Sequence, residues 1–209
     1  MSRLRYNWTS ARAHLESSCP RLCSFIRAFG SERLHLAHEP DLFVALSRSI
    51  AYQQLSGKAA ATIYGRFCAL CPDEIPRPEP VLKMNMKALR AVGLSEAKAR
   101  SIQDLATKCM DGTVPSRARL GRLDDEQVIE RLIAVRGIGP WTAQMVLIFN
   151  LGRPDVMPAS DLGVQKGVAR VYGLAGVPSP RDVITTTAHL SPFRSAASWY
   201  FWRAADTTC

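Results

Sequence analysis

Val135-Arg-Gly-Ile-Gly-Pro-Trp-Thr-Ala-Gln144 is the stretch on which the reading of this chain turns. Upstream of it, from Asp124-Asp125-Glu126, the apolar residues Val128, Ile129, Leu132, Ile133 and Val135 recur on one face of a helix. Gly137 and Gly139 break that pattern, and glycine is the residue that tolerates positive φ and close backbone approach. Pro140 suits a first helical position, where its missing N–H costs nothing. Trp141 to Leu151 is apolar almost all round, which predicts a buried helix. Helix, tight turn, helix leaves backbone N–H groups at the positive end of a dipole, a ready site for a phosphate. The carbonyls of Val135 and Gly137 can also coordinate a monovalent cation, Na⁺ or K⁺, that bridges to the phosphate. The glycines alone fit an ordinary helix-to-helix turn equally well.

Soon afterwards, Met157-Pro-Ala-Ser-Asp-Leu-Gly-Val-Gln-Lys166 places a single acid, Asp161, just ahead of another helix. Asp161 has two readings: a helix N-cap, or a carboxylate acting on whatever the phosphate carries.

Working outward, helical periodicity predicts helices at about 9–18, 21–30, 40–53, 57–71, 85–92, 95–110, 125–136, 140–151, 163–173, 181–190 and 194–204. Strand alternation is almost absent, and there is no repeat of fixed period. Residues 72–80 form the one proline-rich link. Ala91-Val-Gly-Leu-Ser-Glu-Ala-Lys98 repeats the helix-glycine-helix idea as a turn, with Ser95 as N-cap. A chain of 209 residues can bury a sizeable core in one domain or in two packed lobes.

Leu132 to Asn150 resembles the helix-hairpin-helix of the DNA glycosylase superfamily named for that hairpin and a Gly/Pro-rich loop ending in aspartate (HhH-GPD). Met157-Pro-Ala-Ser-Asp161-Leu-Gly163 is similar to that loop. Arg48-Ser-Ile-Ala-Tyr-Gln-Gln-Leu-Ser-Gly-Lys-Ala-Ala60 resembles the helix pair of the 3-methyladenine DNA glycosylase II branch, which repairs alkylation. Ser191-Pro-Phe-Arg-Ser-Ala-Ala-Ser-Trp-Tyr-Phe-Trp202 is similar to that branch's closing helix. The resemblance runs through about residues 40–205, in order and with compatible spacing. It implies an all-α fold of two helical lobes with a central cleft. One glycosylase domain would span 1–209, about 1–55 plus 155–209 forming one lobe and about 56–154 the other, with the hairpin at 125–151.

The resemblance also implies a chemistry. A base in duplex DNA must be swung out before its glycosidic bond can be reached. Breaking that bond builds oxocarbenium character on the sugar, which a carboxylate stabilises. Asp161 falls on the family's catalytic aspartate. Ordinary glycosidases need a second acid to protonate the leaving group, whereas an alkylated purine already carries positive charge and leaves without one. Relatives that also cut the strand carry a nucleophilic lysine where this chain has Trp141, and residues 140–151 contain no lysine. The expected enzyme is therefore a monofunctional hydrolase. It releases 3-methyladenine- or 7-methylguanine-type bases and leaves an abasic site for base excision repair.

Trp141, Met145, Leu162 and Phe193 fall on pocket-lining positions, where an aromatic face suits a flat cationic base. Trp141 and Met145 are also what the core of an apolar helix looks like. Gly137, Gly139, Thr142, Lys166 and Arg194 are assigned to the DNA backbone. Gln54, with Gln53 beside it, falls on the turn that inserts into the gap left by the flipped base; both amides could instead cap the helix starting at Ser56. Two other functions stay open: a non-catalytic module that binds damaged DNA, and a glycosylase for uracil, hypoxanthine or ethenoadenine.

Composition agrees with this reading without deciding it. Lysine and arginine total 27 against 18 acids, a net charge of +9, and 21 of the 27 are arginine, suited to bidentate phosphate contacts. After Asp161 only Asp182 and Asp206 oppose Lys166, Arg170, Arg181, Arg194 and Arg203. Double-stranded DNA with damaged bases is the expected partner, the chain acting as a monomer. No secretory h-region or membrane-length apolar run is visible, so the expected location is the cytoplasm and nucleoid of a bacterium or the nucleus of a eukaryote, and not outside the cell. The cysteines at 19, 23, 68, 71, 109 and 209 lack secreted-scaffold density. Free thiols are the expected state, with zinc at Cys19, Cys23, Cys68 and Cys71 as the alternative. Only Cys209 follows Asp161, so no iron–sulfur cluster is expected and no cofactor is required. His14, His35, His38 and His189 show no metal-ligand spacing.

Overall fold

Among the described residues, seven helices start where a short polar side chain closes their exposed amides. The computed structural model describes residues 4–37 and 41–207, and among these no strand occurs. In chain order the helices are α1 Trp8–Ser18, α2 Pro20–Ala28, α3 Leu42–Tyr52, α4 Gly57–Cys68, α5 Pro78–Leu82, α6 Met86–Ala91, α7 Glu96–Met110, α8 Arg117–Leu120, α9 Asp125–Ile133, α10 Pro140–Met145, α11 Leu162–Tyr172, α12 Pro180–Thr187 and α13 Arg194–Asp206. A π-helical turn, Val146–Asn150, continues α10. Asn7, Asp41, Asn85, Ser95 and Asp161 each cap a helix through a side-chain oxygen. Asp124 with Gln127, and Ser179 with Asp182, form reciprocal capping boxes.

The chain divides into two compact units. One is Met1–Ala37 with Gln144–Cys209, and the other is His38–Ala143. In the first, α11 lies along α13, and α1 and α2 pack on the pair. Leu15, Leu22, Ile26, Val164, Val168, Tyr200 and Phe201 are buried in its core. In the second, α3, α5 and α6 pack against α7, the longest helix. Leu46, Ile50, Leu89, Ile102 and Leu105 are fully buried there. α3, which the sequence reading groups with the termini, thus belongs with α4 and α7 in the second unit.

Three local expectations change. The proline-rich link at 72–80 holds a 3₁₀ turn, Pro72–Glu74, and the start of α5, because Pro78 occupies a helix's first position. α8 falls between the helices predicted at 95–110 and 125–136. The predicted helix 140–151 is not regular: Leu151 donates its N–H five residues back, to the Val146 carbonyl (2.9 Å), which widens the last turn. Nor is it buried throughout, since Trp141 at its start is 44 % exposed.

Candidate active site

The loop ahead of α11 is held from several sides. Asp161 donates its N–H to the Pro158 carbonyl (2.9 Å) and Ala159 to that of Met157 (2.9 Å). Gln165 reaches back from α11 to the Ala159 carbonyl (2.9 Å), and Ser198 of α13 donates to the Val156 carbonyl (3.3 Å). The loop is therefore a fixed platform, and Asp161 stands at its end, half-buried.

Two donors converge on one oxygen of Asp161. Oδ1 accepts the Val164 amide (2.8 Å) and the indole N–H of Trp202 (2.8 Å). The first bond is the helix cap. The second is not needed for capping; with both on Oδ1 the plane of the carboxylate is set. Trp202 is in turn stacked on Phe149 of the π turn, ring centroids 5.7 Å apart at 30°. Asp161 is thus a helix cap whose carboxylate also accepts a bond from outside its own helix.

Two glycines on α11 let Trp202 come this close. A Cβ at Gly163 would lie 2.8 Å from Trp202 Cδ1 and 3.1 Å from Asp161 Oδ1. A Cβ at Gly167, one turn on, would lie 2.0 Å from the backbone oxygen of Phe201. Gly163 and Gly167 therefore form a seam along which α11 and α13 meet almost backbone to backbone. Neither these glycines nor Trp202 was singled out from the sequence. The Gly-x-x-x-Gly spacing after Asp161 was the signal available for the seam, and a tryptophan at the end of the aromatic run was the signal for Trp202.

At the head of α13, Arg194 gives Nε to Asp155 Oδ1 (2.7 Å) and Nη2 to Oδ2 (2.8 Å), while Ser191 donates to Oδ2 (2.8 Å). Burial pushes the Asp155 carboxyl upward, but the bonds from Arg194 and Ser191 outweigh it and hold the group below its ordinary range. The fork expected to hold phosphate is thus committed to Asp155. Lys166, the other basic backbone candidate on this unit, is exposed on α11.

Of the proposed pocket residues, Leu162 is 55 % exposed beside Asp161, and Trp141 is exposed at the start of α10. Met145 is partly buried. Phe193 is engaged by Tyr6 (5.8 Å between centroids) and His14 (5.4 Å).

In the second unit, Gly137 has φ 76°, a conformation glycine adopts without strain. The hairpin then enters α10 at Pro140, leaving the amides of Gly139 and Thr142 at the positive end of that helix. Thr142 itself is buried. The Val135 carbonyl accepts the Ile138 amide (3.1 Å) and the Gly137 carbonyl accepts Gln53 Nε2 (2.9 Å). Each of these carbonyl oxygens has a second lone pair. Gln53 thus ties its turn to the hairpin. Gln54 stands exposed at the apex with φ 55°, unusual for a side-chain-bearing residue.

Among the described residues no three His, Cys, Asp or Glu side chains come together as a ligand set. Cys19 meets the Tyr172 hydroxyl (3.4 Å) and Cys71 the Phe67 carbonyl (3.6 Å). Cys19, Cys23, Cys68, Cys71 and Cys109 are free thiols; Cys209 and His38 lie outside the described residues.

Residues 47–192 match the family model for HhH-GPD superfamily base excision DNA repair proteins. The chain belongs to this superfamily. Among HhH-GPD relatives, DNA-3-methyladenine glycosylase 1 of Schizosaccharomyces pombe is 35 % identical over 201 residues, 94 % of this chain and 87 % of that protein. The alkylbase DNA glycosidase-like protein mag2 of the same yeast is 30 % identical, covering 94 % and 93 %. Among solved structures, the S. pombe 3-methyladenine DNA glycosylase in complex with abasic DNA superimposes with a TM-score of 0.78 at 35 % identity, over 95 % of this chain and all of that one. The DNA-3-methyladenine glycosidase of Bacillus halodurans gives 0.85 at 33 % identity, over 94 % and 89 %. The HhH-GPD fold is therefore this chain's fold.

Proposed function

We propose that this chain is a DNA glycosylase that hydrolyses the N-glycosidic bond of flipped-out alkylated purines and leaves an abasic site. The observation that carries the reading is Asp161, with Oδ1 pinned by the Val164 amide and the Trp202 indole. A carboxylate so fixed stabilises the positive charge that develops on the sugar as a cationic base departs, and it orients the attacking water. The relatives named as 3-methyladenine glycosylases support the substrate class.

In this reading the amides at Gly137, Gly139 and Thr142 grip the DNA backbone, with Lys166 as a further phosphate contact and Gln54 filling the gap in the stack. Trp141, Met145, Leu162 and Phe193 are the residues this reading assigns to the base. A Na⁺ or K⁺ on the remaining lone pairs of the Val135 and Gly137 carbonyls would add positive charge to the phosphate grip. Hydrolysis without strand cleavage follows from Trp141, since indole cannot form the Schiff base a lyase needs. The chain works as a monomer, and a substrate of chromosomal DNA puts it wherever its cell keeps that DNA.

The test is release of free base from methylated duplex DNA by wild type and by Asp161→Asn. Wild type should release 3-methyladenine. The variant should bind DNA normally and be slower by about 10²-fold or more, the scale of losing a transition-state electrostatic contact. Borohydride in the same reaction should trap no adduct. Equal DNA binding with no release by either protein would reject the reading, and lesions such as uracil, hypoxanthine and ethenoadenine would then separate another glycosylase from a non-catalytic module.

A further inference from the structure

α7 presents Lys98, Ser101 and Asp104 at three-residue spacing, so the three lie along one side of the helix. Each meets a turn that the proposed function uses. Lys98 Nζ donates to the carbonyls of Ala51 (2.9 Å) and Gln53 (2.7 Å) at the C-terminal end of α3. These carbonyls have no amide partner within the helix, and an ammonium is the charge a helix C-terminus favours. Gln53 in turn donates to the Gly137 carbonyl (2.9 Å). Ser101, held by its bond to the Ala97 carbonyl (2.9 Å), occupies the space a side chain at residue 137 would take, 2.7 Å from where a Cβ would sit. Asp104 accepts the Arg136 amide (2.7 Å), closing the other side of the hairpin turn.

The turn bearing Gln54 and the hairpin bearing Gly137 are thus held by one helix and by each other. Burial drives the Lys98 pKa down, the cost of taking an ammonium out of water, and the two carbonyls are what the group gains in return. Nothing in the catalytic chemistry of Asp161 uses Lys98.

We infer that Lys98 is a positioning residue for duplex opening: through Gln53 it locks the Gln54 turn to the phosphate-gripping hairpin, so that gripping and stack-filling occur as one rigid event. The inference rests on the reading of Gln54 as the inserting residue. A loose turn would still let the enzyme act on a base that is already unstacked, but would slow it on a paired one.

The experiment compares excision of one alkylated base in a fully paired duplex and in an unpaired bulge. Lys98→Met should slow the paired substrate about tenfold and the bulge less than about twofold, because the wedge matters only where stacking must be broken. Lys98→Arg should restore most of the paired rate. Gln53→Ala breaks the other end of the link from a surface turn and should give the same split, and it serves if Lys98→Met does not fold. The double variant should be no slower than the slower single one. Equal slowing on both substrates, or none on either, overturns the inference. Fluorescence of 2-aminopurine beside an alkylated base on a 2′-fluorinated sugar, whose glycosidic bond resists hydrolysis, reads opening without chemistry. A chain that opened DNA but released no base would therefore sink the proposed activity while the Lys98 effect was still measured.

Discussion

Trp202 is the residue on which the candidate chemistry depends most after Asp161. A hydrogen bond to an ionised partner contributes about 1.5–3 kcal/mol, and this one also fixes the orientation of the carboxylate. Trp202→Phe keeps an aromatic ring for Phe149 to stack on and removes only the N–H. The expected result is a kcat lower by about tenfold, from that bond's scale, with DNA binding retained; an unchanged kcat in single-turnover assays would reduce the bond to a folding contact. Asp161 was legible in the sequence because it ends a recognisable loop. Trp202 was not, because its partner lies 41 positions away and only the folded seam brings the two together. Arg194 misled for a related reason: a guanidinium in a basic region reads as a phosphate ligand until its carboxylate, Asp155, is seen on the other side of it.

Among the elements, α11 and α13 carry the strictest demand. Gly167→Ala forces a methyl group against the Phe201 backbone, which unlike a side chain cannot rotate away. Overpacking of this kind costs about 1–3 kcal/mol, and a backbone neighbour places Gly167→Ala at the upper end, about 3 kcal/mol, measurable by chemical denaturation. A loss below about 0.5 kcal/mol, the scatter of ordinary surface changes, would mean the helices are free to move apart. Long elements with caps were readable in advance: α7 begins at Ser95 as its sequence suggests, and the hairpin breaks at Gly137. The short ones were not. α5 and α8 span one turn each, too little for periodicity to register. The π turn depends on backbone bonds displaced by one residue, Leu151 to Val146 among them, which no local pattern announces.

On the scale of the whole molecule, the charge of +9 becomes a statement about binding. Each phosphate neutralised releases condensed counterions, so affinity for DNA should fall log-linearly with salt. If about six phosphates are contacted, the loss between about 50 and 200 mM salt is roughly 1,000-fold; filter binding on an undamaged duplex would show it, and a flat response would separate the charge from the DNA-binding role. Fold class was legible at this scale because four segments agreed in order, from Arg48 to Trp202. The division into units was less so, since α3 sits with α7 through contacts that its own sequence does not declare. The seam of Gly163 and Gly167 has one more consequence. Whatever prises α11 from α13, whether heat, denaturant or a damaged neighbour, withdraws the indole from Asp161 in the same movement. Disarming and loosening are then a single event, and a half-opened copy would hold its carboxylate without the indole that orients it.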